Sequence, residues 1–142
     1  MATTRLCVDT GLLIAFLKGR EPGASALAKA VRELDCCITS ITAYEMIFGV
    51  ARAKKEIGEA ALLSTLTVLP FGSREAERAA YLHDELIRRN QDIGIKDVLI
   101  AAICLQHDMT LLTSNAKHFM RVNELRVLTP EAILGEIEDG NP

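Results

Sequence analysis

Tryptophan is absent from this chain, and aromatic residues make up only 4% of its 142 positions. A ladder of rings for stacking nucleic-acid bases is therefore not expected, and the core must be built from Leu, Ile, Val and Ala. Long apolar runs are missing as well. The longest, such as VLIAAICL and GLLIAFL, fall far short of a bilayer span. The opening MATTRLCVDT has no long apolar stretch after a basic end, so a signal peptide is not expected and a cytoplasmic protein is. Cysteines are few, and Cys7, Cys36, Cys37 and Cys104 lie inside apolar segments without paired spacing. Neighbouring Cys36 and Cys37 on a strand would point to opposite faces, which makes a shared zinc ion difficult. Reduced, buried packing residues are expected instead of a disulfide framework. An excess of positive charge is also lacking: 16 basic against 19 acidic side chains give a net charge of −3. That argues against nucleic-acid binding by bulk positive charge. It leaves open an enzyme that meets phosphates through a metal ion and a few local Lys or Arg residues.

What is present is a globular composition, 49% hydrophobic and 25% charged, in a chain long enough for one sizeable core. A single domain over residues 1–142 is expected. Apolar patterning alternates between strand and helix along the whole length. RLCVD reads as a short buried strand, and LLIAFLK as a helix ending near Gly19. Gly23 to Leu34 is Ala-rich and helical, and CCIT is a second strand. Thr42 onward reads helical through Val50, and IGEAALLSTL gives another helix after Gly58. TVLPF is a third strand, weakened by Pro70, which favours its end or an edge. Ser73 is expected to cap a long helix running to about Arg89, and Asp97 to His107 is helical. MTLLT is a strand followed by the turn Ser114-Asn115, and LRVL is the last strand. Thr129-Pro130-Glu131 opens a final helix, and the tail EDGNP is expected to fray. Such alternation implies an α/β fold with a mostly parallel sheet covered on both faces. Ligands of such sheets bind beyond the carboxyl ends of the strands, near a switch in strand order.

Three acids stand beside apolar segments, where a lone charge is costly unless paired or bound to a cation. Asp9 ends the first strand, Glu45 lies in ITAYEMIFGV, and Asp97 precedes VLIAAICLQ. Each has a plain structural explanation. Asp9 and Asp97 fit helix N-caps, and Thr42-Ala43-Tyr44-Glu45 fits a capping box. If Ser40 is the cap instead, Glu45 lies further into the helix and is free to reach a metal. The combination of the three with Thr113-Ser114-Asn115 favours one shared divalent-metal site.

The order VDTGLLIAFL, ITAYEMIFGV, IGIKDVLIAA and LLTSNAKHF resembles the PIN domain and, more narrowly, the VapC-type toxins of toxin–antitoxin pairs. The resemblance runs from Leu6 to about Leu128. It implies a three-layer α/β/α fold and a magnesium- or manganese-dependent endoribonuclease held inactive by a cognate antitoxin. It also implies a homodimer or a toxin–antitoxin hetero-oligomer, with no membrane partner. The family's first, second and third acids fall on Asp9, Glu45 and Asp97, the expected metal ligands. Its final T-x-N/D position falls on Thr113 and Asn115. Asn in place of Asp removes one charge, so a second ion is expected to arrive mainly with the substrate phosphate. Thr10, Thr113 and Ser114 are the expected groups for orienting carboxylates or metal waters. The implied chemistry is in-line attack of water on an RNA phosphodiester, with no His nucleophile required.

Arg52, Lys54, Lys55 and Lys96 are the candidates for RNA phosphate contact, as are Arg88 and Arg89, although solvated charges on amphipathic helices are the simpler explanation of each. His83, His107 and His118 are expected in surface or packing roles, although His118 lies in the AKHF stretch. Asp84, Glu85 and Asp92 read as solvated charges, Asp92 being close to Asp97 in sequence. Leu12, Leu13, Phe16, Leu17, Ile47 and Phe48 are expected mainly in the core, some of them lining a groove for an antitoxin peptide. A haloacid-dehalogenase-like phosphatase needs a second Asp two residues after Asp9, where Gly11 stands. A receiver domain needs adjacent acids after the first strand. The alternative that remains is a non-catalytic PIN-like module binding RNA or protein, which a metal titration would distinguish.

Overall fold

The computed structural model describes residues 5–139. Among them the chain forms five strands and eight helices. In order these are β1 (Arg5–Val8), α1 (Thr10–Leu17), α2 (Gly23–Glu33), β2 (Asp35–Thr39), α3 (Ser40–Ala53), α4 (Glu59–Ser64) and β3 (Thr67–Leu69). They are followed by α5 (Ser73–Arg88), α6 (Ile95–Gln106), β4 (Thr110–Leu112), α7 (Ala116–Phe119), β5 (Val127–Leu128) and α8 (Pro130–Asp139). The strands form one sheet in the order β3-β2-β1-β4-β5, and every pairing is parallel. Strand order reverses between β1 and β4, so the crevice between their carboxyl ends is where a ligand site belongs.

Side chains alternate across each strand, and the apolar set on each face meets its own helices. Leu6, Val8, Ile38 and Leu112 pack with α1, α2 and Met46 of α3, whereas Cys7, Cys37 and Leu111 pack with α5 and α6. Two apolar layers around one sheet make the expected three-layer α/β/α arrangement. The four cysteines are free thiols, with Cys36 and Cys37 on opposite faces as their adjacency requires. Burial pushes the Cys36 thiol up to about 11. None of the helices among the described residues is long and apolar enough to cross a membrane.

Several boundaries differ from the sequence reading, each for a local reason. β3 stops at Leu69 because Pro70 has no N–H to continue the ladder. α3 starts at Ser40, and its cap is Thr39, whose Oγ1 accepts from the Thr42 N–H at 3.1 Å. Neither Ser40 nor Thr42 is the cap. α5 is capped at Gly72, not Ser73: the Gly72 N–H donates to Glu75 Oε1 at 2.8 Å. Asp97 is the third residue of α6, which starts after Gly94 at a φ of 89° that favours glycine. The single turn α7 has no counterpart in the sequence reading. Of the apolar residues expected mainly in the core, Leu12 and Leu13 are fully buried, while Phe16, Ile47 and Phe48 are exposed. The expected fraying of EDGNP falls largely on residues 140–142, outside the described residues.

α1 and α2 pack closely enough to require glycine at one point. A Cβ on Gly23 would lie 2.9 Å from the Ala15 Cβ, an atom that cannot move without its backbone. Alanine normally favours a helix over glycine, yet Gly23→Ala should destabilise the protein by about 1–3 kcal/mol through overpacking. Urea unfolding checks this, and an unchanged or raised midpoint would contradict the packing described.

Candidate active site

Asp9 follows β1 directly, where its own N–H donates to the Leu112 carbonyl of β4 at 2.9 Å. Its extended backbone, φ −70° and ψ 152°, makes it the N-cap of α1. Oδ1 accepts from the Thr10 N–H at 2.9 Å, and Oδ2 from the Thr113 hydroxyl at 2.7 Å. Thr113 is fully buried at the end of β4, so the crevice between β1 and β4 is bridged by this bond. The Asn115 N–H donates to Thr113 Oγ1 at 3.0 Å and steadies it.

Glu45 lies six residues beyond the Thr39 cap, in the second turn of α3, and is not part of a capping box. Thr10 Oγ1 lies 2.9 Å from Glu45 Oε1 and 3.0 Å from Thr42 Oγ1. The hydroxyl has one proton, and the carboxylate is the stronger acceptor. Thr39 Oγ1 lies 3.4 Å from Thr42 Oγ1, so Thr39, Thr42 and Thr10 can each donate to the next, ending on Glu45. Such a chain of like-directed bonds strengthens its members. On the other side Lys96 Nζ approaches Glu45 Oε2 at 3.1 Å, and this bond raises the lysine's pKa. Asp97 is held by His118 Nε2 at 2.9 Å from Oδ2.

The acids feel one another. Burial raises the pKa of Asp9, and the charges of Asp97 and Glu45 add to it, against the donors Thr113 and Thr10. Burial also raises Asp97, with Glu45 adding to it and His118 and Lys96 opposing. An all-oxygen set under mutual repulsion suits a hard divalent cation. Among the described residues, however, no group of three or more Asp, Glu, His or Cys side chains stands ready to hold one ion. Glu45 commits one oxygen to Lys96, and Asp97 one to His118. Both oxygens of Asp9 accept hydrogen bonds, from Thr10 and Thr113.

The remaining residues singled out by sequence are scattered. Asn115 precedes α7 and makes no side-chain cap bond, and Ser114 is exposed and joins none of the bonds above. Arg52, Lys54 and Lys55 sit at the far end of α3, Lys54 about 13 Å along the axis from Glu45 at 1.5 Å per residue. Lys55 and Glu45 do line one groove of about 360 Å³ with Ile14, Leu17, Met46 and Ile57. A cavity of about 500 Å³ along α5 contains none of the three acids, and its Arg74, Arg78 and Arg89 are offset by Glu77, Glu85 and Glu124. His83 pairs with Asp92 at 2.9 Å and His107 with Glu75 at 3.1 Å. Thr39, Thr42 and His118 were not assigned to the site from sequence. A Thr cap three residues before a second Thr was the one available signal for the first two.

A raised folded-state pKa means that the folded protein binds the proton more tightly than the unfolded chain does. Ionising Asp9 therefore costs stability as pH rises from the ordinary aspartate range through the folded value. Without added metal, Asp9→Asn should raise the thermal midpoint at pH 7, with the gain shrinking as pH falls toward that range. A midpoint lowered at pH 7, measured by circular dichroism, would contradict the charge crowding described.

The PIN domain family model matches residues 6–125. The chain is 36% identical over 132 residues to a protein named Ribonuclease VapC from Rickettsia bellii, covering 87% of this chain and 95% of that one. Among solved structures, VapBC2 from Rickettsia felis, bound to a DNA fragment from its promoter, superposes with a TM-score of 0.77 at 25% identity. That match covers 89% of this chain and 98% of the other. A toxin–antitoxin complex from Klebsiella pneumoniae gives a TM-score of 0.72 at 27% identity, covering 88% and 97%. With a family model spanning most of its length and a VapC relative at this identity, the chain belongs to the PIN-domain family and, within it, to the VapC ribonucleases.

Proposed function

We propose that this chain is a magnesium- or manganese-dependent endoribonuclease and the toxin of a toxin–antitoxin pair. The observation that carries the reading is the bridging of Asp9, at the end of β1, to Thr113, at the end of β4, with Glu45 and Asp97 close enough to raise the Asp9 pKa. Family membership with named ribonucleases supports the substrate class. Asp9 and Asp97 would hold the ion, with Glu45 joining once Lys96 is drawn away. When bound, the ion supplies charge stabilisation at the phosphoryl oxygens and makes water a better nucleophile.

The chain's own residues supply position. Thr10 and Thr113 occupy both Asp9 oxygens, so the carboxylate cannot swing. The threonine chain does the same for Glu45. Lys96 is the one RNA-contact candidate that stands at the acids. It is 63% exposed at its side chain, so it can turn to a substrate phosphate. Asn115 offers a neutral amide where another carboxylate would add charge, which keeps the demand for a second ion low. The partner is a cognate antitoxin, in line with the complexes that resemble this fold. Exposed Ile14, in the groove of α1 and α3, is part of the apolar surface it would cover. A basic antitoxin side chain reaching Glu45 would compete with the ion for the same charge.

Incubating the purified chain with RNA and Mg²⁺ or Mn²⁺ tests the reading. Cleavage should vanish with EDTA and return with excess metal. Asp9→Asn and Asp97→Asn should each lower kcat by at least about 100-fold, on the scale of a lost preorganised electrostatic group. Cleavage that survives both EDTA and Asp9→Asn would overturn the metal mechanism. A chain without nuclease activity or Mg²⁺ affinity would be a binding module.

A further inference from the structure

His118 stands outside the three acids yet grips one of them. It belongs to α7, whose Phe119 is fully buried and meets the imidazole edge-on, the ring centroids 5.7 Å apart. Nε2 lies 2.8 Å from the Ile93 carbonyl oxygen and 2.9 Å from Asp97 Oδ2. A carbonyl oxygen can only accept, so Nε2 carries a proton whatever the charge on the ring. That N–H donates to the backbone just ahead of α6, and the Asp97 carboxylate in the helix's first turn lies within ion-pairing distance of the same nitrogen.

Among the described residues, no other ion pair reaches the Asp97 carboxylate. Asp9 and Glu45 each have two polar partners, so Asp97 is the acid whose orientation rests on a single side chain. The contact uses Oδ2 and leaves Oδ1 open. The stretch 113–118 thus holds two acids at once, Asp9 through Thr113 and Asp97 through His118. A side chain that only packed would not need its ring nitrogen bonded to the Ile93 carbonyl beside the Asp97 carboxylate.

We infer that His118 is a positioning residue, whose Nε2, bonded to the Ile93 carbonyl and within ion-pairing reach of Asp97, holds the start of α6 and the carboxylate in the orientation from which Asp97 receives a divalent cation. The inference rests on the metal-dependent reading above. It assigns His118 no contact with RNA and no proton transfer.

The test compares wild type, His118→Leu, which keeps bulk without a donor, and His118→Gln, which returns an N–H at similar reach. Mn²⁺ affinity is read from the paramagnetic resonance of free Mn²⁺, and kcat and KM are measured separately on one RNA. His118→Leu should weaken Mn²⁺ binding by about 10–100-fold, the usual effect of losing a group that orients a ligand. It should lower kcat with KM unchanged, and His118→Gln should recover most of both losses. A folded His118→Leu protein with wild-type Mn²⁺ affinity overturns the inference. So does His118→Gln as impaired as His118→Leu, since ring packing on Phe119 would then be the whole effect. If His118→Leu does not fold, His118→Asn, too short to reach Asp97, replaces it, and equal Mn²⁺ affinity in the Asn and Gln variants overturns the inference. A wild-type chain that binds Mn²⁺ but cuts no RNA sinks the nuclease reading alone, because the Mn²⁺ comparison still judges His118. A wild-type chain that binds no Mn²⁺ overturns both.

Discussion

The partial burial of Asp9, Glu45 and Asp97 beside one another is the constraint around which this molecule is arranged. Burial first, and neighbouring like charges after it, raise the proton affinity of Asp9 and Asp97 and work against folding. The chain offsets this locally, with a different device for each acid. Asp9 has a backbone N–H at a helix start and a buried threonine from the neighbouring strand. Glu45 has a line of hydroxyls on one side and an ammonium on the other. Asp97 has an imidazole. These partners keep the cluster assembled while leaving residual negative charge.

The sheet order explains why these partners are available. With β1 central and the chain turning to opposite sides after it, the segments that follow β1 and β4 open side by side. Asp9 and Thr113 are 104 residues apart in sequence and adjacent in space. Glu45 and Asp97 come from helices on the two faces of the sheet. The two apolar layers, Leu6, Val8 and Ile38 on one side and Cys7, Cys37 and Leu111 on the other, hold those helices in place. Loss of either layer would move an acid.

Much of this could be read from residue order. The buried strand RLCV, the capping role of Asp9 and the alternation of strand and helix follow from periodicity and from the side-chain chemistry of helix ends. Less legible was anything decided across space. Thr42 fitted a capping box by spacing, but Thr39 had the extended backbone that a cap requires. Asp97 fitted a cap as well, but Gly94 took the unusual backbone and moved the helix start upstream. α7 is one turn long, too short for helical periodicity to register, and with it the role of His118 was hidden. Phe16, Ile47 and Phe48 read as core from their apolar character. A helix with more than one apolar face leaves one uncovered when only one can meet the sheet, so these side chains are exposed here and open to a partner.

The most direct test is diffraction from crystals soaked in manganese, with data collected at its absorption edge. The account predicts an anomalous peak between Asp9 and Asp97, bonded to oxygens of both, with His118 still on Asp97 Oδ2. Protein that diffracts well in saturating manganese and shows no peak at these two carboxylates would contradict it.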